Sequence, residues 1–205
     1  MCAGVLCGGG GKRMQLIYLA AGNSRRFGGN KLLYKLDGKP LYRHLLERLI
    51  RVCERHASWE ILVVTQYEMI YDAVNGMKAS RLPVRPVFSP DSRKGASYSV
   101  RAGVEAASGE TEGYAFFVGD QPYLTERSAE GFLIEMERKQ ARLGCVRCGD
   151  VVGNPAWFAR EYREELLALE GDRGGRKLLK KYSDRVVYYE LEDAGELEDI
   201  DVPMV

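Results

Sequence analysis

The stretch Leu-Ile-Tyr-Leu-Ala-Ala-Gly-Asn-Ser-Arg-Arg-Phe-Gly-Gly-Asn-Lys, from Leu16 to Lys31, constrains this chain more than any other. Its apolar run, Leu16 to Leu19, is too short for a helix and reads as a buried strand. Ala20, Ala21 and Gly22 then leave the backbone uncovered, so an anion can approach the main-chain N–H groups. Arg25, Arg26 and Lys31 supply positive charge, and Gly28 and Gly29 let the loop turn back so that Lys31 faces the first turn. The stretch reads as a cradle for a polyphosphate. It is neither a Gly-x-x-x-x-Gly-Lys-Ser/Thr loop nor a Gly-x-Gly-x-x-Gly loop. An ordinary strand-to-helix connection with exposed arginines is the alternative for so short a segment.

Composition limits the partners. The chain has 205 residues, enough for one domain with a sizeable core, and a net charge of +1. So small a charge gives no reason to expect nucleic acid or an anionic membrane as partner, since each favours a broad basic surface. No apolar run has the length of a membrane span, and residues 1–11 hold too short an apolar stretch for a secretory signal, so a cytoplasmic location is expected. The five cysteines are an odd number, which favours reduced thiols over a disulfide framework. Cys145-x-x-Cys148 lacks a second strong ligand pair for zinc and reads as two thiols on or beside a strand.

Residues 1–13 are Gly-rich and without periodicity, and are expected to form a flexible extension before a single domain over 14–205, with Met14 as an alternative start. Gly8 to Lys12 imitates a phosphate loop, but Arg13 stands where a hydroxyl is needed. Leucines at helical spacing predict a helix from Leu41 to about Cys53, with Pro40 suited to its first turn and His44 partly packed on it. Strands are expected at Ile61–Thr65 and Val84–Phe88, the latter at a sheet edge because of its prolines. Between them lies a short helix, Glu68 to Val74, ended by Gly76. Ser97 is placed to cap the helix that follows.

Tyr114 to Val118 is a fourth, almost wholly apolar strand, and Asp120 follows it before a helix over Arg127–Gln140. If the strand order is 3-2-1-4, the ends of strands one and four are neighbours and Asp120 faces the cradle across the switch point of an open parallel sheet. In the second half, strands are expected at Gly144–Arg147, Val151–Val152 and Val186–Leu191. Helices are expected over Glu161–Leu169 and up to about Lys181.

The pattern Leu19-Ala-Ala-Gly-x-Ser24-x-Arg26-x-Gly28-x-x-Lys31 resembles, position by position, the signature of the MobA-like small-molecule nucleotidyltransferases. Gly119-Asp-Gln-Pro122, Gly153-Asn-Pro155 and Gly171-Asp-Arg-Gly174 extend the likeness to the molybdenum cofactor cytidylyltransferase branch, over about Leu16 to Pro203. The resemblance implies a Rossmann-like three-layer α/β/α sandwich with a mostly parallel sheet, of the nucleotide-diphospho-sugar transferase type. It implies nucleotide binding by Leu19, Ala20, Ala21, Gly22, Ser24, Arg25 and Lys31, and a base pocket lined by Ser97 and Ser99. Arg26, Lys31 and Asp120 are the implied catalytic residues. Magnesium would sit on Asp120 and Asp201; because the downstream acids of the family pattern are absent, Asp199 is the alternative second ligand. Gly153, Asn154, Gly171 and Asp172 are the implied acceptor residues, although Asn154 stands where histidine is common.

The implied reaction transfers CMP from CTP to the terminal phosphate of molybdopterin and releases pyrophosphate. An ionised phosphate nucleophile needs no general base, which suits a chain with two histidines. In the family, Leu-Ala-Ala-Gly goes with cytidine and Leu-Ala-Gly-Gly with guanosine, so Ala21 favours CTP. The alternatives are guanylyl transfer to the same cofactor, cytidylyl transfer to a sugar or polyol phosphate, and a non-catalytic chaperone that hands cofactor to a molybdenum hydroxylase. A molybdenum hydroxylase or its maturation factor is the expected protein partner.

Overall fold

The computed structural model describes residues 13–24, 27, 29–172 and 174–200. The expected extension therefore lies outside the described residues apart from Arg13, as do Arg25, Arg26, Gly28 and Asp201.

The chain opens with β1 (Met14–Leu19), followed by a small antiparallel ribbon of β2 (Lys35–Leu36) and β3 (Lys39–Pro40). Then come α1 (Leu41–Arg55), β4 (Trp59–Thr65), α2 (Glu68–Ala79), β5 (Val84–Phe88), α3 (Ala96–Ala106), β6 (Gly113–Val118) and α4 (Glu126–Arg138). The second half supplies β7 (Leu143–Cys148), β8 (Val151–Ala159), α5 (Arg163–Leu167), α6 (Arg176–Lys181) and β9 (Val186–Glu190). Seven strands form one sheet in the order β5-β4-β1-β6-β8-β7-β9. Its first four strands are parallel, in the 3-2-1-4 order expected; β8 runs antiparallel to both its neighbours, and β9 is parallel to β7.

Alternation along the strands divides the core into two layers. Leu16 and Tyr18 of β1, Ile61 and Val63 of β4, and Ala115 and Phe117 of β6 face α1, α2 and α4. Ile17, Val64, Tyr114 and Phe116 face α3, α5 and α6. A strand covered on both faces reads as a continuous apolar run, which is why β1, β4 and β6 stand out in the sequence. The fold is a Rossmann-like α/β/α sandwich, mostly parallel. No helix among the described residues is long and apolar enough to cross a membrane.

The expected elements shift in instructive places. Gly76 does not end α2, which runs on to Ala79 and stops where Arg81 adopts φ 62°. Interior glycine costs a helix only about 1 kcal/mol, and burial of Ile70 and Val74 on the same helix outweighs that. β8 extends well beyond Val152, because Trp157 and Phe158 alternate between the two cores and carry the strand on. Its pairing with β7 jumps from Cys145↔Ala156 to Val146↔Gly153, so Asn154 and Pro155 bulge out of the ladder, where a residue without an N–H is tolerated. The expected Glu161–Leu169 helix is a 3-10 turn, Arg160–Tyr162, joined to the short α5.

The two strand cysteines part company. Cys145 packs into the α3 side of the sheet and Cys148 against the α1 side. Burial pushes the Cys145 thiol up to about 11 and that of Cys53 up to about 12, so both stay protonated at neutral pH. A thiol reagent at pH 8 should accordingly leave Cys53 and Cys145 unlabelled in the folded protein and label both after denaturation; mass spectrometry of the modified peptides reads the outcome.

Candidate nucleotide-binding and transfer site

The parallel register brings the ends of β1 and β6 side by side, Leu19 opposite Val118. The Gly119 N–H donates to the Leu19 carbonyl at 3.0 Å, locking the two turns together. A Cβ on Gly119 would stand 3.3 Å from that oxygen and 3.2 Å from Leu32, so this position suits the smallest residue. Asp120 comes next. Its Oδ2 accepts from Lys31 Nζ at 2.7 Å, the lysine side chain being 11% exposed and the aspartate 24%. The strand-four acid and the cation of the first loop therefore meet, as the sequence predicts.

Lys31 reaches that position because the loop folds back on itself. The Lys31 N–H donates to Ser24 Oγ at 3.1 Å, and the Asn30 side chain caps the 3-10 turn Lys31–Leu33 by accepting from the Leu32 N–H. From the end of β4, Gln66 Nε2 donates to the Ala21 carbonyl at 2.6 Å and the Tyr67 hydroxyl to the Gly22 carbonyl at 2.6 Å. A peptide's C=O and N–H point in opposite directions, so these bonds turn the N–H groups of Gly22 and Asn23 away from β4. Gln66 and Tyr67 are not among the residues expected from sequence. Their only signal is position: the first two polar side chains after a buried strand.

A cleft of about 370 Å³ lies over this junction. Leu19, Ala21, Gly22, Lys31, Ser99, Asp120 and Asp172 line it, joined by Asn23, Ser92, Gly95 and Ala96. Ala20 lies beneath the loop, fully buried, with its N–H on the Val64 carbonyl. Ser97 is buried inside α3 and does not cap it; Gly95 holds the cap position, and the Ser97 N–H donates to the Gly171 carbonyl at 3.1 Å. The Ser97 hydroxyl has no partner among the described residues. Ser99 joins a chain of hydroxyls, donating to Ser92, which donates to Ser89, at 2.8 and 2.9 Å.

A second cleft of about 380 Å³ adjoins the first, sharing Leu19, Ala96 and Val118. Gly153 and Asn154 line it through the β8 bulge, together with Gln121, Arg176 and Asp199. The four residues expected at the acceptor end thus divide. Gly171 and Asp172 lie against the start of α3 instead, with Asp172 in the first cleft. Asp120 and Gln121, adjacent in sequence, open into the first and second clefts respectively.

The segment carrying Asp120 is also braced from behind. Arg48 of α1 donates from Nη1 to the Leu124 carbonyl at 2.9 Å and to the Pro122 carbonyl. Beneath it, burial and the charge of Asp120 raise the Tyr18 phenol well above its ordinary value, leaving it a neutral donor to the Tyr42 carbonyl at 2.6 Å. No group of three or more His, Cys, Asp or Glu side chains that could hold a metal ion occurs among the described residues. The first cleft presents two carboxylates, Asp120 and Asp172, and one or two carboxylates suit a hard divalent cation that takes its remaining oxygens from phosphate and water.

A model of the MobA-like NTP transferase domain matches residues 16–186. This chain belongs to that family. Its relatives include the purine catabolism protein PucB of Bacillus subtilis (strain 168), 32% identical over 201 residues and covering 91% of each chain. A probable molybdenum cofactor guanylyltransferase of Thermococcus gammatolerans is 33% identical over 129 residues, 62% of this chain and 59% of that one. Among solved structures, the manganese complex of Rv0371c from Mycobacterium tuberculosis H37Rv superposes with a TM-score of 0.66 at 21% identity, covering 94% of this chain and 91% of that one. The MobA-like assignment makes the chain a nucleotidyltransferase by family; the structural likeness, at that identity, speaks for the fold.

Gly95 gives this geometry a direct test. It adopts φ +148°, and a Cβ there would fall 2.5 Å from the Gly171 carbonyl oxygen and 2.9 Å from Asp172 Oδ1. Gly95→Ala should destabilise the protein by about 1–3 kcal/mol through backbone strain and overpacking. Because the loop at 171–172 must also retreat from the cleft, nucleotide affinity should fall with it; thermal melting and a nucleotide titration read the two effects.

Proposed function

We propose that this protein transfers CMP from CTP to the terminal phosphate of molybdopterin, with magnesium, releasing pyrophosphate. The observation that carries the reading is the 2.7 Å meeting of Lys31 and Asp120 in the first cleft, one residue from Gln121, which opens into the second. In this reading the first cleft takes the nucleotide and the second the acceptor. An acceptor phosphate oxygen forms a bond to the α-phosphorus, the bond from that phosphorus to the β-phosphate bridge oxygen breaks, and pyrophosphate leaves with the electron pair. The nucleophile is already ionised, so the protein supplies position and charge and no general base.

Each residue then has a task. The Gly22 and Asn23 N–H groups bind phosphate oxygens, held in direction by Gln66 and Tyr67. Lys31 shifts from Asp120 to the departing phosphates, offsetting the charge that builds there. Arg26 assists it, and Ser99 borders the base. Asp120 would hold magnesium, with Asp201 or Asp199 as second carboxylate; the bound ion supplies Lewis-acid stabilisation of phosphate charge. The manganese complex of the mycobacterial structure supports a divalent cation here. Gly153 and Asn154 contact the acceptor, and Asp172 sits at the nucleotide end.

The name of the Thermococcus gammatolerans relative favours a second reading, guanylyl transfer to the same cofactor. Ala21, implied by the family resemblance to go with cytidine, favours the first. Pyrophosphate release with CTP, GTP, ATP and UTP, with and without molybdopterin, separates them. CTP should lead by about tenfold or more, the discrimination one good pocket contact provides. A lead for GTP overturns the choice of base. Asp120→Asn should abolish turnover while nucleotide still binds, whereas a carrier without chemistry has no turnover to lose. Lys31→Met should lower turnover roughly 10²- to 10³-fold, by analogy with loss of a transition-state donor.

A further inference from the structure

After β9 the chain crosses back over the Asp120 turn in a segment that lies beyond the residues matched by the family model. Asp193 starts it by accepting from the Gly195 N–H at 2.8 Å, which shapes a 3-10 turn, Ala194–Leu197. That turn directs Glu196 inward, where it is 7% exposed. Both carboxylate oxygens are engaged: Oε2 accepts from the Thr125 N–H at 2.7 Å and Oε1 from the Ser128 hydroxyl at 2.9 Å. Two further bonds flank it. Gln121 Nε2 donates to the Leu197 carbonyl at 3.3 Å, and the Ile200 N–H donates to the Asp120 carbonyl at 3.0 Å.

The carboxylate is more than α4 needs for a cap. Thr125 already caps that helix by accepting from the Ser128 N–H at 3.1 Å. What Glu196 adds is a fixed register between the returning strap and residues 120–125, opposite the brace that Arg48 provides. An acid kept from water in this way is retained only where its hydrogen bonds are complete.

We propose that Glu196 is a positioning residue for the transfer reaction: it ties the C-terminal strap to the start of α4 and thereby holds the turn on which Asp120 presents its carboxylate. The proposal rests on the reading of Asp120 as the metal-binding acid. Glu196 lines neither cleft; its effect passes through the backbone of residues 120–125 and of the strap that carries Asp199.

The test compares Glu196→Ala, Glu196→Gln and Asp120→Asn by Mn²⁺ binding in the presence of CTP, followed by electron paramagnetic resonance, and by hydrogen exchange of residues 120–125. Glu196→Ala should weaken Mn²⁺ binding about tenfold, the low end of the loss seen when a group supporting a metal ligand is removed. Exchange of the 120–125 amides should rise, and kcat should fall with KM for CTP little changed. Glu196→Gln should restore most of each, since its amide accepts from the Thr125 N–H and donates to the Ser128 hydroxyl. Should Glu196→Ala fail to fold, Ser128→Ala removes one of the two bonds and should shift the same readouts in the same direction by less. A lowered melting temperature with Mn²⁺ affinity and exchange at wild-type values makes Glu196 merely structural and overturns the proposal. If Asp120→Asn leaves Mn²⁺ binding intact, the metal reading fails by itself, and unchanged amide exchange in Glu196→Ala would then separately overturn the strap.

Discussion

A lysine ammonium drawn in against an aspartate at the carboxyl edge of a parallel sheet is the contact on which the site depends. Neither charge is well solvated: Lys31 as a whole is 9% exposed, and so enclosed an ammonium is costly without a counter-charge in hydrogen-bond contact. The pair can exist only if two loops far apart in sequence end at the same height, and the register of β1 with β6 ensures that they do. Gly119 then removes the side chain that would hold the loops apart. The sheet order is thus the condition under which one cation and one carboxylate share a cleft.

The same contact suits phosphate chemistry in a way that neither charge alone would. A polyanion entering a cleft lined by Asp120 alone meets repulsion, and one entering beside Lys31 alone finds no oxygen ligand for a metal. With both present, lysine and acid neutralise each other, and in the proposed function phosphate and cation arriving together would give each charge a new partner. Such an exchange would conserve the number of ion contacts in a poorly hydrated place, which would keep its cost small.

Much of this is legible in the sequence because it is written locally. Strands buried on both faces appear as apolar runs, and Leu16–Leu19, Ile61–Thr65 and Tyr114–Val118 all stand out in that way. The cradle and Asp120 are visible because core packing gives no reason to place small residues and charges directly after such runs. The edge position of Val84–Phe88 follows from its prolines. What stays hidden depends on contacts between distant segments. Gly95, not Ser97, holds the cap position of α3, and it must lack a side chain because the Gly171–Asp172 loop packs against it, a contact between segments far apart in the chain that no local pattern records. β8 runs through Pro155 because the opposing strand shifts register there, and Asn154 reaches the second cleft for the same reason. Gly76 misleads because helix propensity is weak there beside the packing of Ile70 and Val74.

The residues that brace the site share a further property: they act on backbone, not on ligand. Gln66 and Tyr67 hold carbonyls of the cradle, Arg48 holds carbonyls after Asp120, and Glu196 holds an amide at the head of α4. Any side chain of suitable reach could do each task, so the sequence carries no fixed spelling for them. They matter because a displaced reacting group is costly: misplacement by about 1 Å can lower the rate on the order of 10²-fold. A loop that binds phosphate through bare peptide groups has no side chains of its own with which to fix its shape, and must borrow rigidity from neighbouring strands and helices. The uncovered backbone that makes the cradle recognisable is also why Gln66 and Tyr67 brace it from outside, as Arg48 braces the segment after Asp120.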